Sequence, residues 1–239
     1  MSWFETWFDS KYYHILYKNR DEKEATLFLD NITNYLNIKK GKILDIGCGK
    51  GRHANYFNKL GFNVVGIDLS SNSINKAKKN ETHNLKFYKF DMRNVFKEDS
   101  FNIVTNLFTS FGYFDSSLDE QKTINAMVKN LKKDGILIID FMNVKKTIIN
   151  LVAKESKEID NIKFDITRSF KDNYIVKNIS IYDKKINLKF QEKVHALTLI
   201  DFSKMLKKAG MSIIDIFGNY NLDNFNASQS KRLILIAKK

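Results

Sequence analysis

The chain is predicted to fold as an α/β protein built on a doubly wound, mostly parallel sheet. Three features of the sequence point there. Between residues 42 and 141, strand-like apolar runs alternate with helix-like runs, the pattern of parallel strands joined by right-handed crossover helices. The first strand-like run breaks into Gly47, Gly49 and Gly51, so that a chain with only 10 glycines in 239 residues places three of them at one strand-to-helix turn. Beyond Phe141 short segments of alternating polarity replace the strand–helix alternation, the mark of an antiparallel insert.

Each element follows in order. Trp3, Phe4, Trp7, Phe8, Tyr12, Tyr13, Leu16 and Tyr17 are spaced to predict one helix over 3–18 with a broad aromatic face. A second helix is predicted over 21–37, with Ala25, Phe28, Leu29, Ile32 and Leu36 on one side. Strands are predicted at 42–46, 63–68, 85–90, 101–106 and 135–141, with helices at 52–60, 71–80 and 118–131 between them. The segments 163–170, 174–182 and 188–199 read as antiparallel strands. Asp201 is placed to cap a helix over 202–209 that stops at Gly210, and strands over 211–217 and 232–237 complete the sheet. An insert at this point in the chain sits where it could cover the carboxyl edge of the parallel strands, where open α/β sheets bind ligands.

Composition narrows the function. At 27.9 kDa and 43% hydrophobic residues the chain can bury a sizeable core. No apolar run approaches the roughly 20 residues needed to span a membrane, and the start, MSWFETWFDSKYY, lacks the basic and apolar regions of a secretory signal. A soluble, cytoplasmic protein without a membrane partner is expected. Cys48 is the only cysteine, so neither an internal disulfide nor a multi-thiolate metal site can form. His14, His53, His83 and His195 are scattered without ligand spacing, so no metal is expected. The net charge is +13, but only Arg20, Arg52, Arg93, Arg168 and Arg232 among the 40 basic residues are arginine. Arginine is the better reader of phosphates and bases. The lysines are spread over the whole chain, which argues for a solvated surface rather than a nucleic-acid footprint.

The glycine turn, KILDIGCGKGRH, lets a ligand press against the backbone. A P-loop needs GxxxxGK[ST] and a dinucleotide site GxGxxG; the spacing here is GxGxG. Asp45 just before the turn disfavours a pyrophosphate and suits an ammonium group. Asp68 ends the next strand, where a carboxylate can accept from both ribose hydroxyls. Asp91 can accept from an adenine amino group, with Met92 against the ring. Taken singly, Asp68 and Asp91 are equally good as turn or cap residues; together at successive strand ends they point to a nucleoside ligand.

With LDIGCGKGRH, VVGIDLS and FDMRN in this order, the region from about Gly41 to Phe141 resembles the class I S-adenosylmethionine (SAM)-dependent methyltransferases. WFDSKYYHILYKNRDEKEA, NLFTSFGYF and DIFGNYNLDNF extend the likeness to a bacterial small-molecule subgroup over nearly the whole chain. The resemblance implies a Rossmann-like, seven-stranded, mostly parallel sheet over 41–155 and 201–239, an N-terminal helical lid over 1–40, and a small antiparallel β insert over 156–200 above the active site. It implies SAM as cofactor and S-adenosylhomocysteine (SAH) as product. Gly47 and Gly49 would approach the amino-acid portion and Asp45 orient its ammonium. Asp68 would hold the ribose, Leu69 lie beside the adenine, and Asp91 and Met92 frame the base. Asn106 would lie near the methionine moiety, with Tyr13, Tyr17 and Arg20 in the lid and Arg20 on the cofactor carboxylate.

SAM carries its own activation, so a base is needed only if the acceptor must lose a proton. No catalytic residue is fixed by the sequence; His195 is the candidate, in a strand where such a residue is otherwise half exposed. Phe108, Phe111, Tyr113 and Tyr220 are candidates for the acceptor pocket. The chain has no proline, so the Asn/Asp-Pro-Pro-aromatic motif of some DNA and glutamine-amide methyltransferases is absent. A small-molecule acceptor is the first expectation; an RNA or protein acceptor, or a non-catalytic SAM-binding module, are the alternatives. No oligomeric state is assigned.

Overall fold

A computed structural model describes residues 2–18 and 22–239. The aromatic stretch at the start forms two short helices, α1 (Trp3–Phe8) and α2 (Lys11–Leu16), rather than one. Asp9 and Ser10 break it: Ser10 Oγ accepts from Tyr12 N at 3.1 Å and so caps α2, a role for which serine is well suited. Helix α3 (Glu22–Leu36) follows, then β1 (Lys42–Ile46), α4 (Arg52–Lys59), β2 (Asn63–Asp68) and α5 (Ser71–Ala77). The predicted helix over 71–80 ends in a 3-10 turn at Lys78–Asn80. Next come β3 (Leu85–Lys89), β4 (Phe101–Asn106), α6 (Ser117–Asn130) and β5 (Leu131–Met142). Strand β5 starts earlier than predicted, with an irregular register where it joins β4.

The unpredicted helix α7 (Val144–Ile149) leads into β6 (Lys154–Ile159), β7 (Ile162–Lys171), β8 (Tyr174–Asp183) and β9 (Ile186–His195), an antiparallel meander. Its first two hairpins turn at Asp160-Asn161 and Asp172-Asn173 with φ of 53° and 59°, 50° and 62°. These are the primed turns that match strand twist, and Asp and Asn tolerate their left-handed backbone. Helix α8 (Leu199–Lys208) is capped by Thr198; Asp201, predicted as the cap, is instead the third helical residue and returns a hydrogen bond from Thr198 N at 2.8 Å, a capping box. Strands β10 (Ser212–Phe217) and β11 (Arg232–Lys238) end the chain.

The main sheet has seven strands in the order β10-β11-β5-β4-β1-β2-β3, with β11 antiparallel to β5 and β10. Sequence order reverses at β1, which lies between β4 and β2, and open α/β sheets bind ligands at this switch. One face packs Leu44, Ile46 and Phe101 against α6 and α8; the other packs Ile43, Val64 and Phe87 against α3, α4 and α5. The four-stranded sheet packs Phe164, Ile166, Ile179 and Ile181 against Trp7 and Tyr12 of the N-terminal helices. No described helix is long and apolar enough to cross a membrane.

Candidate active site

The site begins where β1 runs into the glycine turn. Gly47, Gly49 and Gly51 have φ of 71°, 55° and 82°, in the left-handed region that L side chains avoid. Gly47 N and Cys48 N donate to Ile67 O at 2.8 and 3.0 Å, tying the turn to the tip of β2. The glycines have different surroundings. A Cβ on Gly51 would lie 2.5 Å from the Phe87 ring, and one on Gly47 would lie 2.7 Å from Ser110 Cβ. A Cβ on Gly49 would meet nothing within 4 Å: that space belongs to the cleft. Gly51→Ala is therefore expected to cost about 2–4 kcal/mol of stability through overpacking and strain. Gly49→Ala is expected to cost only about 1 kcal/mol while abolishing ligand binding; denaturant unfolding beside SAH calorimetry checks the pair.

The cleft in front of the turn holds about 770 Å³. Gly47, Gly49, Asp68, Leu69, Asp91 and Met92 all line it, as do Tyr13, Tyr17, Phe108 and Tyr113. Asp68 accepts from Gly49 N (Oδ2, 2.8 Å) and Ser70 N (Oδ1, 2.8 Å). Burial pushes its carboxyl up, with Asp9 adding to the effect, while these backbone donors act against it. Asp91 is already engaged: Arg93 Nε lies 3.1 and 3.0 Å from its two oxygens and Nη2 2.6 Å from Oδ2. Burial pushes the Asp91 carboxyl up, and the hydrogen-bonded guanidinium more than reverses this, leaving it below the usual range.

Five of the candidate residues stand outside the cleft lining, and Arg20 lies outside the described residues. Asp45 is 1% exposed behind the glycine turn. Its Oδ1 accepts from Thr105 Oγ1 at 2.9 Å, its Oδ2 has no hydrogen-bond partner, and burial pushes its pKa up to about 7. Asn106 is also fully buried. Its Nδ2 donates to Ile46 O at 3.0 Å and Ser110 O at 3.3 Å, and its Oδ1 is likewise unpartnered. Phe111, placed in the acceptor pocket by the sequence reading, is 0% exposed and packs on Phe202 in the core. Tyr220 sits behind Phe108, stacked at 5.2 Å, with its O–H on Asp140 at 3.0 Å.

His195 also faces away from the cleft. Its Nδ1 lies 2.8 Å from buried Glu120 and its Nε2 2.9 Å from Asn173, and its backbone N donates to Gly112 O at 2.7 Å. It latches β9 to α6 and to the loop after β4. The Glu120 hydrogen bond raises its pKa, so the stabilisation is complete below the unfolded value and is lost as pH rises through the folded one. His195→Gln is expected to lower Tm more at pH 6 than at pH 9 and to leave SAH affinity unchanged.

Sequence reasoning missed the depth of the roof. Phe4, Phe8 and His14 join Tyr13 and Tyr17 above the cleft, whereas among the described residues none that lines the cleft comes from the four-stranded sheet. That sheet backs the roof: Trp7 Nε1 donates to Glu192 at 2.7 Å, and Tyr17 O–H donates to the same carboxylate at 2.6 Å. Asp9 fastens the other edge, accepting from Ser70 Oγ at 2.7 Å and Asn72 N at 2.8 Å. An acid near a serine-capped helix start was the available signal. On the far wall, Arg52 and His53 border Phe108: the guanidinium carbon lies 4.5 Å from the ring centre and the imidazole stacks at 4.8 Å.

Comparison with known proteins decides the family. The family model described as "Methyltransferase domain" matches residues 38–198. The chain belongs to this methyltransferase family. It is a class I, SAM-dependent methyltransferase. Among its relatives is YqeM of Bacillus subtilis, which bears the name methyltransferase provisionally; it is 27% identical over 216 residues, covering 84% of this chain and 85% of the relative. A SAM-dependent methyltransferase of Clostridium acetobutylicum shares the fold at TM-score 0.78, with 20% identity and 95% of each chain covered. SAM-bound CalS10 of Micromonospora echinaspora, an amino pentose methyltransferase, shares it at TM-score 0.69, with 17% identity and 96% and 97% covered. The cleft fits that cofactor chemically: it offers open space at Gly49 and the Asp68 carboxylate at a strand end, with Asp45 Oδ2 and Asn106 Oδ1 as buried acceptors behind the glycine turn.

Proposed function

We propose that this methyltransferase acts on a small-molecule acceptor. The observation that carries the reading is the roof. Helices α1 and α2 cover the cleft with aromatic side chains and are fastened at both edges, through Asp9 to α5 and through Trp7 and Tyr17 to Glu192. A roofed, aromatic-lined chamber suits a small molecule and excludes a folded protein or a duplex. That CalS10 acts on an amino pentose is in keeping with this.

In this reading Asp68 holds the ribose hydroxyls, since each oxygen keeps a second lone pair beside its backbone donor. Leu69 and Met92 pack the base, and Asp91, neutralised by Arg93, helps frame it. Gly47 and Gly49 admit the amino-acid portion, and Asp45, buried behind them, acts on its cationic end by charge or through a water rather than by direct contact. Tyr13 and Tyr17 close the roof. The bound cofactor supplies an electrophilic methyl on a sulfonium. The chain's own task is then to align the acceptor and exclude water, with Phe108 and Tyr113 as the acceptor wall. The cleft lining offers His14 and His53 should an acceptor need to lose a proton, whereas His195 is out of reach.

The test is incubation with methyl-labelled SAM and a cell extract split by dialysis. Label is expected in a dialysable species that separates from SAM on chromatography and forms only when the protein is added; label confined to retained RNA or protein would defeat the reading.

A further inference from the structure

The turn after β4 is built in a way that its fold does not require. Phe108 and Thr109 have φ of 55° and 61°, two successive non-glycine residues in the left-handed region, one aromatic and one β-branched. Each such residue costs about 1–3 kcal/mol and persists only where its surroundings over-determine it. Those surroundings are a buried cluster at the ends of β5 and β11. Asp140, 0% exposed, accepts Phe108 N–H at 2.8 Å and Tyr220 O–H at 3.0 Å on Oδ2, and Arg232 Nε at 2.7 Å on Oδ1. Asp140 O accepts Thr109 N–H at 2.9 Å, and Arg232 Nη2 reaches Thr109 Oγ1 at 3.1 Å.

A buried ion pair adds little to stability compared with apolar residues of the same volume, because both charges must be desolvated. Here an ion pair, a buried phenol and a doubly strained turn meet at one point. Two cleft-lining rings depend on that point. Phe108 is clamped between Tyr220 (5.2 Å) and His53 (4.8 Å), and Tyr113 O–H donates to Thr109 O.

We infer that Asp140, Arg232 and Tyr220 are positioning residues for methyl transfer: they lock the Phe108-Thr109 turn and thereby set the wall that the acceptor meets. The inference rests on the reading of the Phe108 side of the cleft as the acceptor side. It makes nucleoside binding and acceptor alignment separable, because the cluster engages the acceptor turn and none of the residues that hold the nucleoside, although Ser110 just after that turn touches Gly47 and Asn106.

Two variants of the full chain test it. Tyr220→Phe keeps both ring stacks and removes one hydrogen bond from Asp140. Thr109→Gly releases the strain and the Arg232 contact, and its Tm is expected within about 3 °C of wild type. In both, hydrogen exchange at the Phe108 amide should quicken about tenfold. SAH affinity by calorimetry should stay within about twofold, and label transfer to the dialysable product resolved from SAM should fall about ten- to a hundredfold. A purely structural role would tie transfer to Tm, and Thr109→Gly breaks that tie. Wild-type transfer despite quickened exchange overturns the inference, as does exchange that does not change. A wild-type protein that binds SAH but labels nothing dialysable defeats the acceptor reading instead, while exchange at Phe108 still decides whether the cluster locks the turn.

Discussion

Asp68→Ala is expected to remove nearly all of the stabilisation that SAH confers. In the free protein the Asp68 carboxylate is held by Gly49 N and Ser70 N at 2.8 Å each. Its position is therefore set before any ligand arrives, and little ordering cost remains at binding. Two hydrogen bonds from a ribose diol to an ionised carboxylate are worth about 1.5–3 kcal/mol each when lost. Allowing for partial replacement by water, affinity should fall roughly a hundredfold. At a ligand concentration that saturates wild type a hundredfold over Kd, linkage stabilises by about 2.7 kcal/mol; the same concentration at the variant's Kd gives only about 0.4 kcal/mol. For a chain of this size the Tm shift should drop from roughly 5–10 °C to about 1 °C. Asp68→Asn should not rescue it, because its NH₂ group would face one of the two backbone donors. A wild-type shift in either variant would displace Asp68 from the ribose role.

The parallel half of the fold was legible because buried parallel strands are continuous apolar runs, and because three glycines in five positions mark a backbone approach that few other structures need. The meander was legible from its alternation. Strand β6 was not: Lys154–Ile159 reads KESKEI, an edge strand whose charges protect it from further pairing and erase the hydrophobic period. The single predicted N-terminal helix failed at Asp9-Ser10, where side-chain capping outcompeted helix continuation. In the site, position along the strands was readable: Asp45 falls near the end of β1, Asp68 and Asn106 end β2 and β4, and Asp91 lies two residues past β3, with only Asp68 and Asp91 of these reaching the cleft. Side-chain direction was not readable. Phe108 and Phe111 lie three residues apart in one loop, yet the left-handed turn at Phe108-Thr109 sends one to the cleft and the other to the core. Tyr220, a candidate for the acceptor pocket, lies instead behind Phe108 with its O–H on Asp140, a partner distant in sequence. The signal for that partnership was present as a lone acid inside ILIIDFM and a lone arginine heading RLILIA; pairing them needs the antiparallel register of β5 and β11.

Asp45→Asn is expected to strengthen the free protein and weaken its grip on the cofactor, with both effects following pH. Burial lifts the folded pKa of Asp45 from 3.8 to about 7, the Asp68 charge lifts it further, and the Thr105 hydrogen bond and Arg52 act against them. The sign is that of a carboxyl group whose folded pKa is raised. Between about pH 4 and 7 the folded state binds the extra proton, so stability declines as pH rises across that window and is flat above it. Three pH units correspond to at most about 4 kcal/mol. The amide carries no charge to desolvate, so the variant should melt with wild type near pH 4.5 and several degrees above it at pH 8. Acids with lowered pKa, such as Asp91 and Glu155, titrate alike in both proteins and cancel in the difference. The reverse holds for the ligand. A cation brought to the cleft side of the glycine turn, in front of buried Asp45, favours the carboxylate, so binding should release a proton and wild-type affinity for SAM should rise through pH 7. In Asp45→Asn that rise should flatten, leaving affinity about tenfold or more below wild type at pH 8. Calorimetry in buffers of different ionisation enthalpy at pH 6.5 reads the released proton directly. A wild-type protein that releases none would show that Asp45 does not change protonation as the cofactor binds, and a variant no more stable than wild type at pH 8 would show that burial does not raise its pKa; either result leaves the acid behind the glycine turn a structural partner of Thr105 and Ala54.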